Sequence, residues 1–311
     1  MDGCGRIGMR IIRQAATIAM MAVLLAGGAL WAQGKGASTI TAIPQESDSG
    51  FGTLDPAQPD GLTPEQIITK MGARESEFDR ARQDYGFRQS VKVQTLDEDN
   101  KVDGEYQQTT DISYNKEGKR VEDVVFAPAN TLERLIMTQQ DFHDIESRLP
   151  FVLTTDDLPD YDISYVGRQK VDDVDTYVFR AGPKEMLKGQ RYFQGKVWVD
   201  QQDYQIVLID GRIVPDDVRP GHADLSPPFT TYYQQVDGEY WFPIYTKGEG
   251  MLNFPAEHGS LGEHVHIRQI ITYSNYKRFR SKSRIIFNGQ EVQKQPDANA
   301  PDQPASARPP Q

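Results

Sequence analysis

The sequence predicts a mainly β (α+β) fold: one long, mostly antiparallel sheet partly covered by two helices. Three observations carry this expectation. Apolar and polar residues alternate along most of the chain with the period of a half-buried strand. Tight-turn pairs (Glu117-Gly118, Asp172-Asp173, Asp237-Gly238, Asn288-Gly289) punctuate the alternation. Two stretches switch to helical spacing.

The 311 residues suffice for one large domain or two modest ones. The chain opens with an export-signal pattern. Arg6, Arg10 and Arg13 precede an apolar run over residues 15–26, and Gly27-Gly28 leads to Leu30-Trp31-Ala32-Gln33, where small Ala32 suits cleavage. The alternative is a retained anchor, because residues 15–32 approach bilayer-spanning length. Residues 1–32 are therefore expected to be a signal peptide, and the mature chain an exported, periplasmic one. Cys4 precedes the apolar run, which leaves the mature chain without a disulfide, a thiolate ligand or a cysteine nucleophile. Residues 33–61 read as a flexible leader, 62–290 as the ordered domain and 291–311 as a disordered Pro/Gln-rich tail.

The formal net charge is −11, and loss of three Arg and one Asp with residues 1–32 makes it −13. Phosphate backbones and anionic lipid surfaces repel such a chain, so nucleic acid and broad membrane adhesion are not expected. The basic residues gathered near the C-terminus (Arg268, Lys277, Arg278, Arg280, Lys282, Arg284) read as a solvated strand-and-turn surface.

Thr63-Pro64-Glu65-Gln66 is a helix start: Thr63 caps, Pro64 suits the first turn and Gln66 completes a capping box. Ile67, Ile68, Met71 and Phe78 then form one apolar stripe over about 64–82. From Phe87 the period becomes two, with Val91 and Val93 and then Tyr106, Ile112 and Tyr114 interleaved with polar residues. Further strand-like runs span about 120–127, 161–169, 174–181, 192–200, 203–214, 228–236, 239–248, 265–279 and 283–288, giving about eleven strands in an antiparallel meander. Asp237-Gly238 is the strongest hairpin signal, since both central positions of the favoured turn need positive φ. A second helix is expected over 131–149, where Leu132, Leu135, Ile136, Phe142, Ile145 and Leu149 fall near one face and Pro150 ends it.

Chemistry-bearing motifs are sparse. His258, His264 and His266 lie near Glu257 and Glu263, and the His-Val-His pair would share one strand face, which makes them weak metal candidates. Asp156-Asp157, Asp172-Asp173 and Asp216-Asp217 sit where Asp favours turns. There is no Gly-x-Ser-x-Gly elbow, and Gly248-Glu249-Gly250 opens no helix. No enzyme and no cofactor are predicted. Aromatic residues crowd the C-terminal half, among them Trp198, Tyr232, Tyr233, Trp241, Phe242, Tyr245, Tyr273 and Tyr276. They fit core packing, or a sheet that binds sugars or acyl chains.

The run Phe193-Gln194-Gly195-Lys196-Val197-Trp198-Val199-Asp200, with its Gln201-Gln202 turn and the strand from Tyr204 to Ile209, resembles a strand pair of the LolA-like, outer-membrane lipoprotein-sorting proteins. Val236-Asp237-Gly238-Glu239-Tyr240-Trp241-Phe242-Pro243 is similar to that family's Gly-x-Trp-x-Pro hairpin, and the strand from Ile270 to Phe279 to its last long strand. The resemblance implies an unclosed β-barrel whose concave apolar face is lidded by helices and shelters lipid or lipoprotein acyl chains, passed between membrane-associated donor and acceptor proteins. On that reading Phe87, Val91, Val93, Ile112, Phe193, Val197, Val199, Ile206 and Leu208 line the concave side, and Leu132, Leu135, Ile136 and Phe142 belong to the lid. The Pro-rich tail is extra, and no lid-controlling arginine of the family has a counterpart here. A protein-interaction or sensor module of the same fold, and a His-dependent metal hydrolase, are the alternatives.

Overall fold

A computed structural model describes residues 51–115, 117–147, 151–216, 224–254 and 263–279, with the short strands Ile286–Phe287 and Gln290–Glu291. The expected signal peptide 1–32, His258 and the expected tail beyond 291 lie outside the described residues. In chain order the elements are α1 (Pro64–Ala81), a 3-10 turn (Arg82–Asp84), β1 (Tyr85–Leu96), β2 (Val102–Tyr114), β3 (Arg120–Phe126) and α2 (Gln139–Ser147). There follow β4 (Tyr161–Val171), β5 (Val174–Pro183), β6 (Tyr192–Asp200), β7 (Ile206–Val214), β8 (Phe229–Val236), β9 (Tyr240–Phe254) and β10 (Glu263–Arg278).

All ten strands form one antiparallel sheet in the order β3-β2-β1-β10-β9-β8-β7-β6-β5-β4, not closed into a barrel. β4 to β10 run as a meander, as the turn signals predict; Asp237 and Gly238 both take positive φ, 56° and 67°. The register aligns a row of side chains across nine strands: Gln108, Val91, Ile271, Thr246, Thr231, Ile209, Val197, Phe179 and Tyr165. This is the interior face. The Thr231 and Thr246 hydroxyls in its middle satisfy each other at 2.9 Å.

Because β3 and β4 are opposite edges, residues 127–160 cross the whole sheet. They do so over the interior face. The ring of Phe151 packs 4.5 Å from that of Phe193, and Leu135, Ile145 and Leu153 join the core with Ile67 and Met71 of α1. The helix in this crossing is shorter than the pattern over 131–149 predicts. Thr131 pairs with Glu105 of β2 through its own backbone N–H, 2.9 Å, and Arg134 donates to Leu96 O at 2.7 Å. These tertiary hydrogen bonds hold 131–138 in irregular conformation, and the helix starts only where Thr138 and Asp141 cap each other. Ile136, expected on the lid face, is instead 84% exposed. α2 is fixed by Arg191, which is buried between Asp144 on the helix (2.6 Å) and Asp224 ahead of β8.

The far edge is also covered. Within the predicted leader 33–61, Gly52 donates to Lys170 O and Asp55 exchanges hydrogen bonds with Arg168, so this segment lies along β4. Phe51 meets Trp198 edge-on at 6.1 Å.

The capping box at Thr63 forms as expected, with Gln66 Oε1 accepting from Thr63 N at 2.9 Å and Thr63 Oγ1 accepting from Gln66 N at 3.3 Å. The buried stripe of α1 contains a carboxyl among its apolar members: Glu75, which accepts from Ile206 N at 3.0 Å and pins the helix to the start of β7. Burial pushes its pKa up to about 8. The folded state therefore holds a proton that the unfolded chain releases near 4.5, and stability falls as pH rises from about 4.5 to about 8. Glu75→Gln keeps the acceptor and removes the titration. It is expected to match the wild type at pH 5 and to exceed it by roughly 1–3 kcal/mol at pH 8.5 in urea unfolding. A constant difference across that range would show that the carboxyl does not titrate there.

Candidate functional site

One end of the sheet departs from regular pairing. Opposite Phe87, β10 carries an extra residue, and Asn275 takes φ 57° to accommodate it. The bulge turns Tyr276 onto Phe87, their rings stacked at 5.3 Å. A second irregularity lies between the pairs Tyr232–Tyr245 and Tyr233–Pro243. Between these breaks and the last turn of α1, the strands and helix enclose a cavity of about 170 Å³.

Eleven residues line it: Phe78, Arg82, Phe87, Gln89, Tyr114, Arg120, Tyr233, Phe242, Pro243, Tyr273 and Tyr276. Seven are aromatic, which makes the walls largely apolar. Phe78, Gln89, Tyr233, Phe242, Pro243 and Tyr273 are buried and form the interior, whereas Arg82, Phe87, Tyr114, Arg120 and Tyr276 are half-buried and form the rim. The walls are packed ring on ring, with Phe78 edge-on to Phe242 at 4.9 Å and Phe242 at 4.7 Å from Tyr276. Two hydroxyls are already paired with backbone: Tyr233 donates to Phe151 O at 3.0 Å and Tyr276 to Pro243 O at 2.6 Å.

Tyr273 is different. Its hydroxyl is buried close to Thr246 and Gln89, but no described group completes a hydrogen bond with it. Burial pushes its pKa up to about 12, so it stays a neutral donor. Gln89 lies beside it across the β1–β10 ladder and accepts from Arg120 Nη2 at 3.1 Å.

Of the nine residues predicted to line a concave side, Phe87 reaches this cavity. Val91, Val93, Ile112, Phe193, Val197, Val199 and Ile206 are buried, and all but Ile112 belong to the main core cluster. Leu208 pairs with Trp198 and so lies on the opposite face of its strand. Leu135 is core, Leu132 packs against it, and half-buried Phe142 meets Tyr106 edge-on at 5.6 Å. Arg82, Gln89, Arg120 and Pro243 escaped the sequence reading. Gln89 left a signal: it occupies an apolar-face position between Phe87 and Val91.

His264 and His266 lie on β10, where His264 Nδ1 is 2.5 Å from Asn253 Oδ1 and His266 Nε2 is 2.9 Å from Glu249 Oε1. No cluster of metal-ligating side chains occurs among the described residues, and no helix among them is long and apolar enough to cross a membrane. Two carboxyls have strongly raised pKa values, and neither lines the cavity. Glu75 holds α1, and Asp200, pushed to about 7 by burial and by Asp203, accepts from Gln202 N and Asp203 N in the β6–β7 turn.

The fold is thus an unclosed antiparallel barrel with a helical cover. No family model and no curated protein matches the chain. A DUF1329 family protein from Desulfovibrio piger is 17% identical with a TM-score of 0.37, over 71% of this chain and 96% of that one. A LolA superfamily protein from Nitrosomonas europaea is 18% identical with a TM-score of 0.29, over 70% and 94%.

An unpaired buried hydroxyl costs folding free energy that its removal restores. Tyr273→Phe is therefore expected to be as stable as the wild type, or up to about 1 kcal/mol more stable, in chemical unfolding. A loss of more than that would mean the hydroxyl has a stabilising partner in solution.

Proposed function

We propose that this chain is an exported, non-catalytic binding protein that shelters the apolar part of a small ligand, of the acyl-chain class, in the aromatic cavity. The observation that carries the reading is that cavity: about 170 Å³, walled by seven aromatic residues and reached past a half-buried rim. An apolar cavity of about 150 Å³ takes up a benzene ring in another protein, so this one suits a ring or a segment of about six carbons. Each methylene transferred gains ~0.8 kcal/mol, and a six-carbon segment ~5 kcal/mol, against which association costs several. Binding by burial alone is accordingly weak and reversible, as delivery to an acceptor requires. The export-signal pattern and the resemblance of the β6–β7 and β8–β9 motifs to lipoprotein-sorting proteins agree with this reading.

A second reading, recognition of a protein partner, is favoured by the free edge of β3, where Val121, Val124, Val125 and Phe126 are all about half exposed.

Native mass spectrometry of the chain recovered from a bacterial periplasm, followed by organic extraction, addresses the first reading. Added mass that extracts as an acyl compound is the expected result. For a defined probe, 1-octanol should bind the wild type in a heteronuclear NMR titration with shifts confined to the cavity walls. Gln89→Trp, which places an indole in the cavity, should weaken that binding at least ten-fold while the fold is retained by circular dichroism. A clean apo mass together with no octanol binding would overturn the carrier reading.

A further inference from the structure

Resting on that reading of the cavity, we infer that its ligand is amphipathic and anionic, with a carboxylate group held at the rim by Arg82 and Arg120 while the apolar part is buried. The chain is acidic overall, 45 Asp and Glu against 34 Lys and Arg. Yet the charged residues lining this cavity are two arginines, with no carboxylate among the lining residues. The two come from different elements, Arg82 from the turn after α1 and Arg120 from the start of β3, and both line the same cavity.

Each guanidinium is positioned by an acid outside the lining. Arg82 Nη2 is 2.8 Å from Asp79 Oδ1, and Arg120 Nε donates to Glu122 Oε1 at 2.6 Å. Arg120 further donates through Nη2 to Gln89 Oε1 at 3.1 Å. A guanidinium has five N–H donors in a planar fork, so these contacts fix the forks and leave donors for an oxyanion. A carboxylate offers a charge and two oxygens to such a fork, an alcohol only one neutral acceptor, and an ammonium is repelled. Aromatic walls and two arginines on the same lining together describe a site for a short fatty or arylalkyl carboxylate.

The test compares octanoate with 1-octanol, which share the apolar chain, and with octylamine, which reverses the charge, by calorimetric titration of the exported chain at pH 7. Octanoate is expected to bind at least ten-fold more tightly than 1-octanol, and octylamine more weakly than either. Arg120→Gln, and separately Arg82→Gln, should bring octanoate to within about three-fold of 1-octanol measured on the same variant. Circular dichroism of both variants checks that each keeps its fold, and two variants guard against the loss of one. If 1-octanol binds as tightly as octanoate, or octylamine binds tighter, the anionic assignment is overturned and the apolar cavity stands. If none of the three binds, the cavity reading fails and this inference with it.

Discussion

The two edges of the sheet are joined by a single connection, and its route constrains most of the molecule. β3 and β4 stand nine inter-strand steps apart, roughly 43 Å on a flat sheet at ~4.8 Å per step. Residues 127–160 span that distance, and the interior face is where their apolar side chains find partners. The crossing therefore serves as cover: Leu135, Ile145, Phe151 and Leu153 fill one side of a core whose other side is the strand row from Val91 to Phe179. With no cysteine in the described residues, burial and hydrogen bonding do all the fastening. Arg191 between Asp144 and Asp224, Glu75 beneath Ile206 N and Tyr233 on Phe151 O are the polar points that fix the cover in register. Each buries a polar or charged group and gives it a partner, the condition under which such burial specifies a packing rather than weakening it.

The cavity lies where this cover runs out. α1 ends at Ala81, and beyond it only the short turn through Arg82–Asp84 connects to β1. There the strands are irregular, and the bulge at Asn275 bends the end of β10 so that Tyr276 stacks on Phe87 instead of continuing the ladder. Regular pairing would have closed the space with alternating side chains. The bulge instead turns Tyr276 onto Phe87 at the rim, and large rings line the space without filling it. Bulges commonly re-aim side chains beside functional sites, and here the re-aimed residue is part of the rim.

Much of the fold is legible in the sequence because it rests on local signals. Thr63 to Gln66 announces α1, the period of two announces β1 and β2, and Asp237-Gly238 announces the β8–β9 hairpin. The helix expected from residue 131 was misplaced for a tertiary reason: Thr131 and Arg134 bond to β2 and to the end of β1, and no spacing rule contains those partners. The strand expected over 283–288 reduces to the two-residue pairing of Ile286–Phe287 with Gln290–Glu291. The site is less legible still. Phe87 and the aromatic group of the C-terminal half are visible as residue types, but Arg82 and Arg120 converge only through the β1–β2–β3 pairing. The bulge that shapes their meeting place is carried by an asparagine with no sequence pattern around it. Gln89 and Glu75 are instructive, because each interrupts an apolar stripe and each proves to be structurally committed.

The size of the cavity bears on how the protein would handle a long ligand. A volume of about 170 Å³ accepts a ring or a chain segment and not a whole acyl chain. A longer ligand therefore extends into solvent through the rim or displaces part of the wall. The polar fastenings decide which wall can yield. Moving α2 means separating Arg191 from two buried carboxylates, which leaves uncompensated charge and costs several kcal/mol. The end of α1 carries no such buried ion pair: Phe78 packs on Tyr240 and Phe242, and Arg82 pairs with Asp79 on an accessible surface. Glu75, a buried polar anchor of the helix, lies nearly two turns before that end. The cavity is thus bounded on its helical side by the segment of cover that is least expensive to move. Lengthening it there breaks ring contacts and the single backbone bond from Phe279 N to Asp84 O, while the ion cluster on α2 stays intact.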